Sequence, residues 1–184
     1  MFRKQRVDAE QVSTQEAALR AKRLVLPGVG AFDACVQALQ SSGLRDVVLE
    51  FASAGRPLLG ICVGMQMLTS GSEEGALPGL GLIEAHTKRF AARPGLRIPH
   101  MGWDAVRWTH LEHPLARGLG ENSRFYFVHS YCVSGVPARH ALALCNYGEE
   151  FAAAIVRDNI AGVQFHPEKS HRFGLQLLNN FATA

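Results

Sequence analysis

Pro57-Leu58-Leu59-Gly60-Ile61-Cys62-Val63-Gly64-Met65-Gln66-Met67-Leu68 changes character at its middle. The run Pro57 to Ile61 is apolar without alternation and reads as a strand buried on both faces. Met65, Met67 and Leu68 begin a helix. Cys62 stands at the turn between them, with Gly60 and Gly64 two residues to either side. Such a turn lifts a side chain clear of the backbone, and the glycines let neighbouring segments pass without Cβ clashes. The start of a helix also favours negative charge on the sulfur. A cysteine in an apolar segment is commonly just a small packed hydrophobe. On this stretch alone, nucleophile and packing residue both stand.

Upstream, Leu24-Val25-Leu26 closed by Pro27-Gly28 reads as a strand entering a turn. From Ala31 to about Ala54 the spacing of Phe32, Val36, Leu39, Leu44, Val47, Val48 and Phe51 is helical, broken near Ser41-Ser42-Gly43. Ser13-Thr14-Gln15-Glu16 matches a capping box, with Ser13 expected at the N-cap. Alternating strand and amphipathic helix predicts a parallel sheet covered on both faces. Downstream the pattern becomes strand after strand: Phe125–Val128, Ala141–Leu144, Ala152–Val156, then an Asp158-Asn159 turn into Ala161–Phe165. A closing helix is expected from about His171 to Phe181. The sheet should therefore be mixed, with antiparallel strands in this half. No repeat or linker divides the chain, which reads as a single domain over residues 1–184.

Composition excludes several classes. The 184 residues are 47% hydrophobic and 19% charged, with net charge +3 and pI about 8.8. The basic residues are scattered and form no stripe interleaved with aromatics, which argues against nucleic-acid binding. No apolar run approaches the roughly 20 residues that span a bilayer, and no apolar segment follows the basic N-terminus, so the expectation is a cytoplasmic protein with no membrane attachment. Cys35, Cys62, Cys132 and Cys145 lack CxxC spacing, against both a zinc ribbon and a disulfide framework. Three of them read as buried hydrophobes. His110 and His113 have i, i+3 spacing, but beside Pro114 they read as an exposed loop rather than a metal site.

His166-Pro167-Glu168 decides the reading of Cys62. In an extended segment, residues i and i+2 project to one side, so imidazole and carboxylate can lie together. Pro167 stiffens the pair. Glu168 can orient the ring while its other nitrogen faces Cys62. An upstream GxCxG turn followed by HPE, in the order Cys…His-x-Glu, makes Cys62, His166 and Glu168 a candidate catalytic triad.

At this point the sequence resembles the class I (triad) glutamine amidotransferases. Within that class it is most similar to the glutaminase subunits of imidazole glycerol phosphate synthases, through Leu26–Phe32 (LPGVGAF), Gly60–Gln66 (GICVGMQ), Pro99–Trp103 (PHMGW), Phe125–Tyr131 (FYFVHSY) and Gly162–Ser170 (GVQFHPEKS). The resemblance implies a flavodoxin-like α/β fold, a mixed sheet flanked by helices. It implies glutamine as substrate, hydrolysed through a thioester on Cys62, with ammonia passed to a synthase (cyclase) subunit of (β/α)8 barrel fold in a heterodimer serving histidine biosynthesis. It implies no metal and no organic cofactor. The backbone of Val63 and the turn Gly28-Val29-Gly30 are the candidate oxyanion donors. Gln66, His129, Ser130 and Tyr131 match positions that hold glutamine. Trp103 and Lys169 match the partner-facing surface.

The resembled family normally opens with an apolar strand and a glycine-rich turn, whereas this chain opens Met1-Phe2-Arg3-Lys4. The fold is thus expected to lack the first strand, with Val7 to Val12 corresponding to the second. An internal strand's loss is expected to leave a gap between neighbours, with unpaired backbone groups. Two other readings compete. A different class I amidotransferase subunit, such as that of pyridoxal phosphate synthesis, is opposed by PHMGW and FYFVHSY. A non-catalytic docking subunit is opposed by the intact Cys62, His166 and Glu168.

Overall fold

The computed structural model describes residues 1–184. Five α-helices and ten strands follow in the order α1 (Gln15–Arg20), β1 (Leu24–Gly28), α2 (Phe32–Ser41), α3 (Leu44–Ser53), β2 (Leu58–Cys62), α4 (Val63–Met67), β3 (His86–Arg89), β4 (His100–Ala105), β5 (Arg107–Trp108), β6 (Arg124–His129), β7 (Tyr131–Ser134), β8 (Ala141–Tyr147), β9 (Glu149–Arg157), β10 (Ile160–Val163) and α5 (His171–Thr183). The main sheet has six strands in the order β1-β2-β10-β9-β8-β5. β1, β2 and β10 run parallel, and the pairs from β10 to β5 are antiparallel. The mixed sheet expected from sequence is present, with its change of direction at β10. Two antiparallel ribbons, β3–β7 and β4–β6, complete the strands.

Alternation along the central strands divides the core. Leu58 and Ile160 face a cluster with Val47, Val48 and Phe51 of α3, while Leu59 and Ala161 face a larger one with Leu177, Leu178 and Phe181 of α5. In α5 the buried positions Gly174, Leu177, Leu178 and Phe181 follow the i, i+3, i+4, i+7 stripe of a helix lying on a sheet. The break near Ser41-Ser42-Gly43 is real: Gly43 takes φ +70 and separates α2 from α3. No helix is long and apolar enough to cross a membrane.

Three sequence expectations need correction. The cap of α1 is Thr14, not Ser13: its hydroxyl accepts from Ala17 N at 3.3 Å, while Glu16 pairs forward with Arg20 instead of reaching back. Val7 to Val12 form no strand; a 3₁₀ turn at Phe2–Gln5 lies against α5 through a Gln5 side-chain bond to Leu175 O. Nor is there a gap among the paired strands. β1 is the sheet edge, and the parallel register, with Leu24 N donating to Pro57 O, turns residues 25 and 27 outward. Pro27, which has no N–H to satisfy, occupies one of those outward positions.

Candidate active site

β2 delivers Cys62 into a tight elbow before α4, with φ 54 and ψ −112 at the cysteine itself. Positive φ is strained for a side chain of this kind and persists only where the surroundings impose it. Here three glycines impose it. A Cβ on Gly64 would lie 1.9 Å from Leu26 O, one on Gly60 would lie 2.6 Å from Gly64 O, and one on Gly28 would lie 2.6 Å from Gly64 N. β1 and the elbow are therefore in backbone-to-backbone contact.

The histidine arrives by register. β10 runs parallel to β2 with Val163 opposite Ile61, so Gln164 follows beside Cys62, its Nε2 3.8 Å from Sγ. Two residues on, His166 Nδ1 donates to Glu168 Oε1 at 2.7 Å, which leaves Nε2 for the thiol; the pair meets across a 3₁₀ turn at Pro167–Lys169, not along the extended segment expected from sequence. The hydrogen bond with Cys62, then that with Glu168, raises the affinity of His166 for its proton to about 9. Glu168 is opposed by its own burial, but the bond from His166 and the charge of Lys169 hold its carboxyl below the usual range. Buried Ser170 braces the segment: its Oγ donates to His166 O at 2.6 Å and accepts from Tyr126 N at 3.0 Å.

A cavity of about 410 Å³ opens over Cys62 and His166. Val29, Gly30 and Val63 line one side; Gln66, Pro99, Val128, His129, Ser130 and Tyr131 line the rest, with Glu74 and Lys169. Of the residues singled out from sequence, Gly28 lies beneath the elbow and Glu168 behind His166, neither in the lining. Trp103 is outside the cavity, 40% exposed on β4 and stacked on His171 with ring centroids 5.0 Å apart. Lys169 Nζ lies 5.4 Å from the Tyr126 ring centroid. Gln66 commits both amide hydrogens, to Tyr131 O and to Gln164 Oε1, each at 3.1 Å. His110 and His113 flank a short turn, where His113 Nδ1 accepts from Leu115 N.

One residue escaped the sequence reading and another, Cys35, was expected to be buried. Glu74 is the one carboxylate in the cavity lining, and its Oε2 accepts from Phe32 N at 2.9 Å, at the start of α2. It sits in a polar loop, Ser72-Glu73-Glu74-Gly75, that carries no local pattern. Cys35 is only half-buried, unlike Cys132 and Cys145, whose thiols burial pushes up to about 12. Its Sγ donates to Val29 O at 3.4 Å, against the oxyanion-candidate turn.

The sequence matches the family model for glutamine amidotransferase class-I over residues 2–184. It is 50% identical over 182 residues to the imidazole glycerol phosphate synthase subunit HisH 2 of Pseudomonas aeruginosa, covering 98% of this chain and 90% of that protein. It is 47% identical over 175 residues to the protein of the same name from Methanococcus maripaludis, covering 95% and 86%. Among solved structures, a glutamine amidotransferase from Thermotoga maritima shares the fold with a TM-score of 0.65 at 18% identity, covering 98% of this chain and 73% of that one.

Proposed function

From the premise that the chain belongs to the class I glutamine amidotransferases, we propose that it is the glutaminase subunit of an imidazole glycerol phosphate synthase. It hydrolyses glutamine to glutamate and supplies ammonia to a synthase subunit in histidine biosynthesis. The observation that carries the chemistry is the convergence of Cys62, His166 and Glu168 on one cavity, Glu168 holding Nδ1 so that Nε2 serves the sulfur. The half-identical relatives named as synthase subunits support the pathway.

The steps follow from the residues. The Cys62 thiolate attacks the carboxamide carbon of glutamine, and the His166 imidazolium, favoured up to about pH 9, protonates the departing nitrogen. Ammonia leaves and a glutamyl thioester remains. Neutral His166 then takes a proton from water, hydroxide adds to the thioester carbon, and the sulfur departs to release glutamate. Negative oxygen in both tetrahedral intermediates requires N–H donors; the amide of Val63 and the Val29–Gly30 turn are the candidates beside Cys62. Glu74 supplies negative charge for the α-ammonium of glutamine, and Gln66, Ser130 and Tyr131 supply polar groups for the rest.

Val29 in the cavity lining is 77% exposed, and Met101 (61%) and Trp103 are exposed on β4, just past the lining residue Pro99. That composition suits a surface covered by a partner, for which we propose the (β/α)8-barrel synthase subunit. The deciding experiment is glutamate release from glutamine by the chain alone and with the synthase subunit plus its nucleotide ligand, with Cys62→Ala as control. Release that depends on the partner and disappears in the control is the expected result. A folded protein that releases no glutamate in either condition defeats the assignment.

A further inference from the structure

Two buried imidazoles take no proton-transfer part in the steps above, although one of them, His129, also lines the cavity. His100 and His129 lie opposite each other in the β4–β6 register, 1% and 6% exposed. Three contacts run through them. His129 Nδ1 meets Tyr131 O at 2.7 Å, His129 Nε2 meets His100 Nδ1 at 3.1 Å, and His100 Nε2 meets Asp104 Oδ2 at 2.8 Å. A carbonyl oxygen only accepts, so the first contact requires a proton on His129 Nδ1. Each of the other two requires one proton between its heavy atoms. Two neutral imidazoles and a carboxylate bring only two protons to three bonds. The line is complete only with a third, and it is then electrically neutral as a unit.

At its inner end the line reaches the nucleophile. Tyr131 O accepts from Gln66 Nε2 as well as from His129; Gln66 Nε2 also donates to Gln164 Oε1, and Gln164 Nε2 to Cys62 Sγ. At its outer end Asp104 is 43% exposed, next in sequence to Trp103. We infer that Asp104 and His100 are positioning residues for hydrolysis at Cys62: with His129 they form a proton-sharing line that fixes the Tyr131 carbonyl and, through Gln66 and Gln164, the sulfur. The consequence for catalysis rests on the glutaminase reading; the proton count does not.

The neighbours place the third proton at the outer end. Burial, with the nearby His166 and His100 charges also opposing, lowers His129 to about 3, so His129 is neutral and its Nε2 accepts from His100. Burial also lowers His100, and Asp104 counteracts it. From β8, Tyr147 stacks on His100 at 3.9 Å with its hydroxyl committed to Arg97 O, and the Cys145 thiol, which feels Asp104, is neutral. Phe90, Phe127 of β6 and Phe151 of β9 contribute only apolar rings. Asp104 is thus the one of these neighbours that favours the third proton, while burial outweighs it and holds His100 below the ordinary imidazole range. As pH rises and that proton is lost, two acceptors face each other and the line opens.

The test compares Asp104→Ala, Asp104→Asn and His100→Phe, the last keeping a ring between Phe127 and Tyr147. Glutamate release with the synthase subunit is measured across pH. Expected for Asp104→Ala and His100→Phe is a kcat/KM about tenfold lower, mostly through KM. Asp104→Asn, whose amide N–H donates to His100 Nε2 without the third proton, restores most of this loss and removes the pH dependence which that proton imposes. Alkylation of Cys62 by iodoacetamide across pH, with no glutamine present, is followed in the same proteins and should change at least threefold in both disabled variants. If the parent hydrolyses no glutamine, the functional reading fails, and the alkylation profile still decides the line. Parental KM and alkylation rate in both Asp104→Ala and His100→Phe overturn the inference.

Discussion

Gly64→Ala is the sharpest test of how the fold builds the elbow. The added Cβ would sit 1.9 Å from Leu26 O and 2.9 Å from Leu26 C, about 1.5 Å short of ordinary contact. The obstacle is backbone, so no rotamer change relieves it. Leu26 lies in β1, whose register against β2 runs from Leu24↔Leu58 to Gly28↔Cys62, and the elbow is clamped from below by Gly60. Overpacking ordinarily costs about 1–3 kcal/mol, and an immobile backbone neighbour puts this case near the upper end. For a domain of this size, roughly 3 kcal/mol lowers Tm by about 6–12 °C. The displacement falls between the two candidate oxyanion segments, so glutamate release should drop about hundredfold or more. Gly120→Ala is the control: nothing lies within 4 Å of its Cβ and its φ is not positive, so Tm should move by no more than about 2 °C. Calorimetry and a glutamate assay on the pair suffice. A Gly64→Ala protein with parental Tm and activity refutes the claim that glycine contacts hold Cys62 in place.

Glu168→Gln keeps an oxygen for His166 Nδ1 but removes the charge behind one of the two bonds that raise His166 to about 9. Because His166 gains proton affinity on folding, its contribution to stability is complete below about pH 6.5 and is lost as pH rises through about 9. The variant should lose less Tm than the parent between pH 7 and 10, its alkaline limb should shift toward neutral, and kcat should fall about hundredfold or more; an unchanged pH profile would mean Glu168 does not govern the ring. Glu74→Gln keeps an oxygen for Phe32 N and loses the charge facing the cavity. Its KM for glutamine should rise about tenfold or more with little change in kcat or Tm, and a parental KM would remove Glu74 from substrate binding.

Legibility in the sequence followed the range of the interactions. The Cys62 elbow and the α2–α3 break are written in neighbouring residues and sit where those residues implied, while the HPE pair makes the expected contact through a 3₁₀ turn and not an extended segment. β3 and β4 were not read as strands because their partners lie far along the chain: His86 pairs with Ser134 and His100 with His129. The same distance hid Glu74, which meets the start of α2 only after the chain returns. Thr14 displaced Ser13 as the cap of α1 within a motif that suits either, since only the resulting helix phase decides which hydroxyl reaches a free N–H. The Val7–Val12 expectation came from a relative's pattern rather than from these residues, which carry no strand alternation strong enough to override the turn before them.

The triad depends on one parallel pairing more than on any side chain. Cys62 belongs to the parallel half of the sheet and His166 follows the strand that opens the antiparallel half, and they meet because β10 lies beside β2 with Val163 opposite Ile61. A slip of one residue would carry His166 away from the sulfur and exchange Phe165 and Gln164 between the apolar core and the side facing Cys62. The register is fixed at the far end of the strands, where the Asp158-Asn159 turn reverses the chain with φ 53 at Asp158. There Asn159 O accepts from Leu58 N, and Asn159 Nδ2 donates to Ala52 O and Arg56 O. Asn159 thus ties the turn before β10 to the segment before β2, so the two strands start in step and reach Cys62 and Gln164 together. The hairpin turn legible in the sequence is therefore part of what aligns Cys62 with Gln164, about four residues along from the paired start of each strand, and with them His166 two residues on, so the chemistry at one end of the sheet depends on hydrogen bonds at the other.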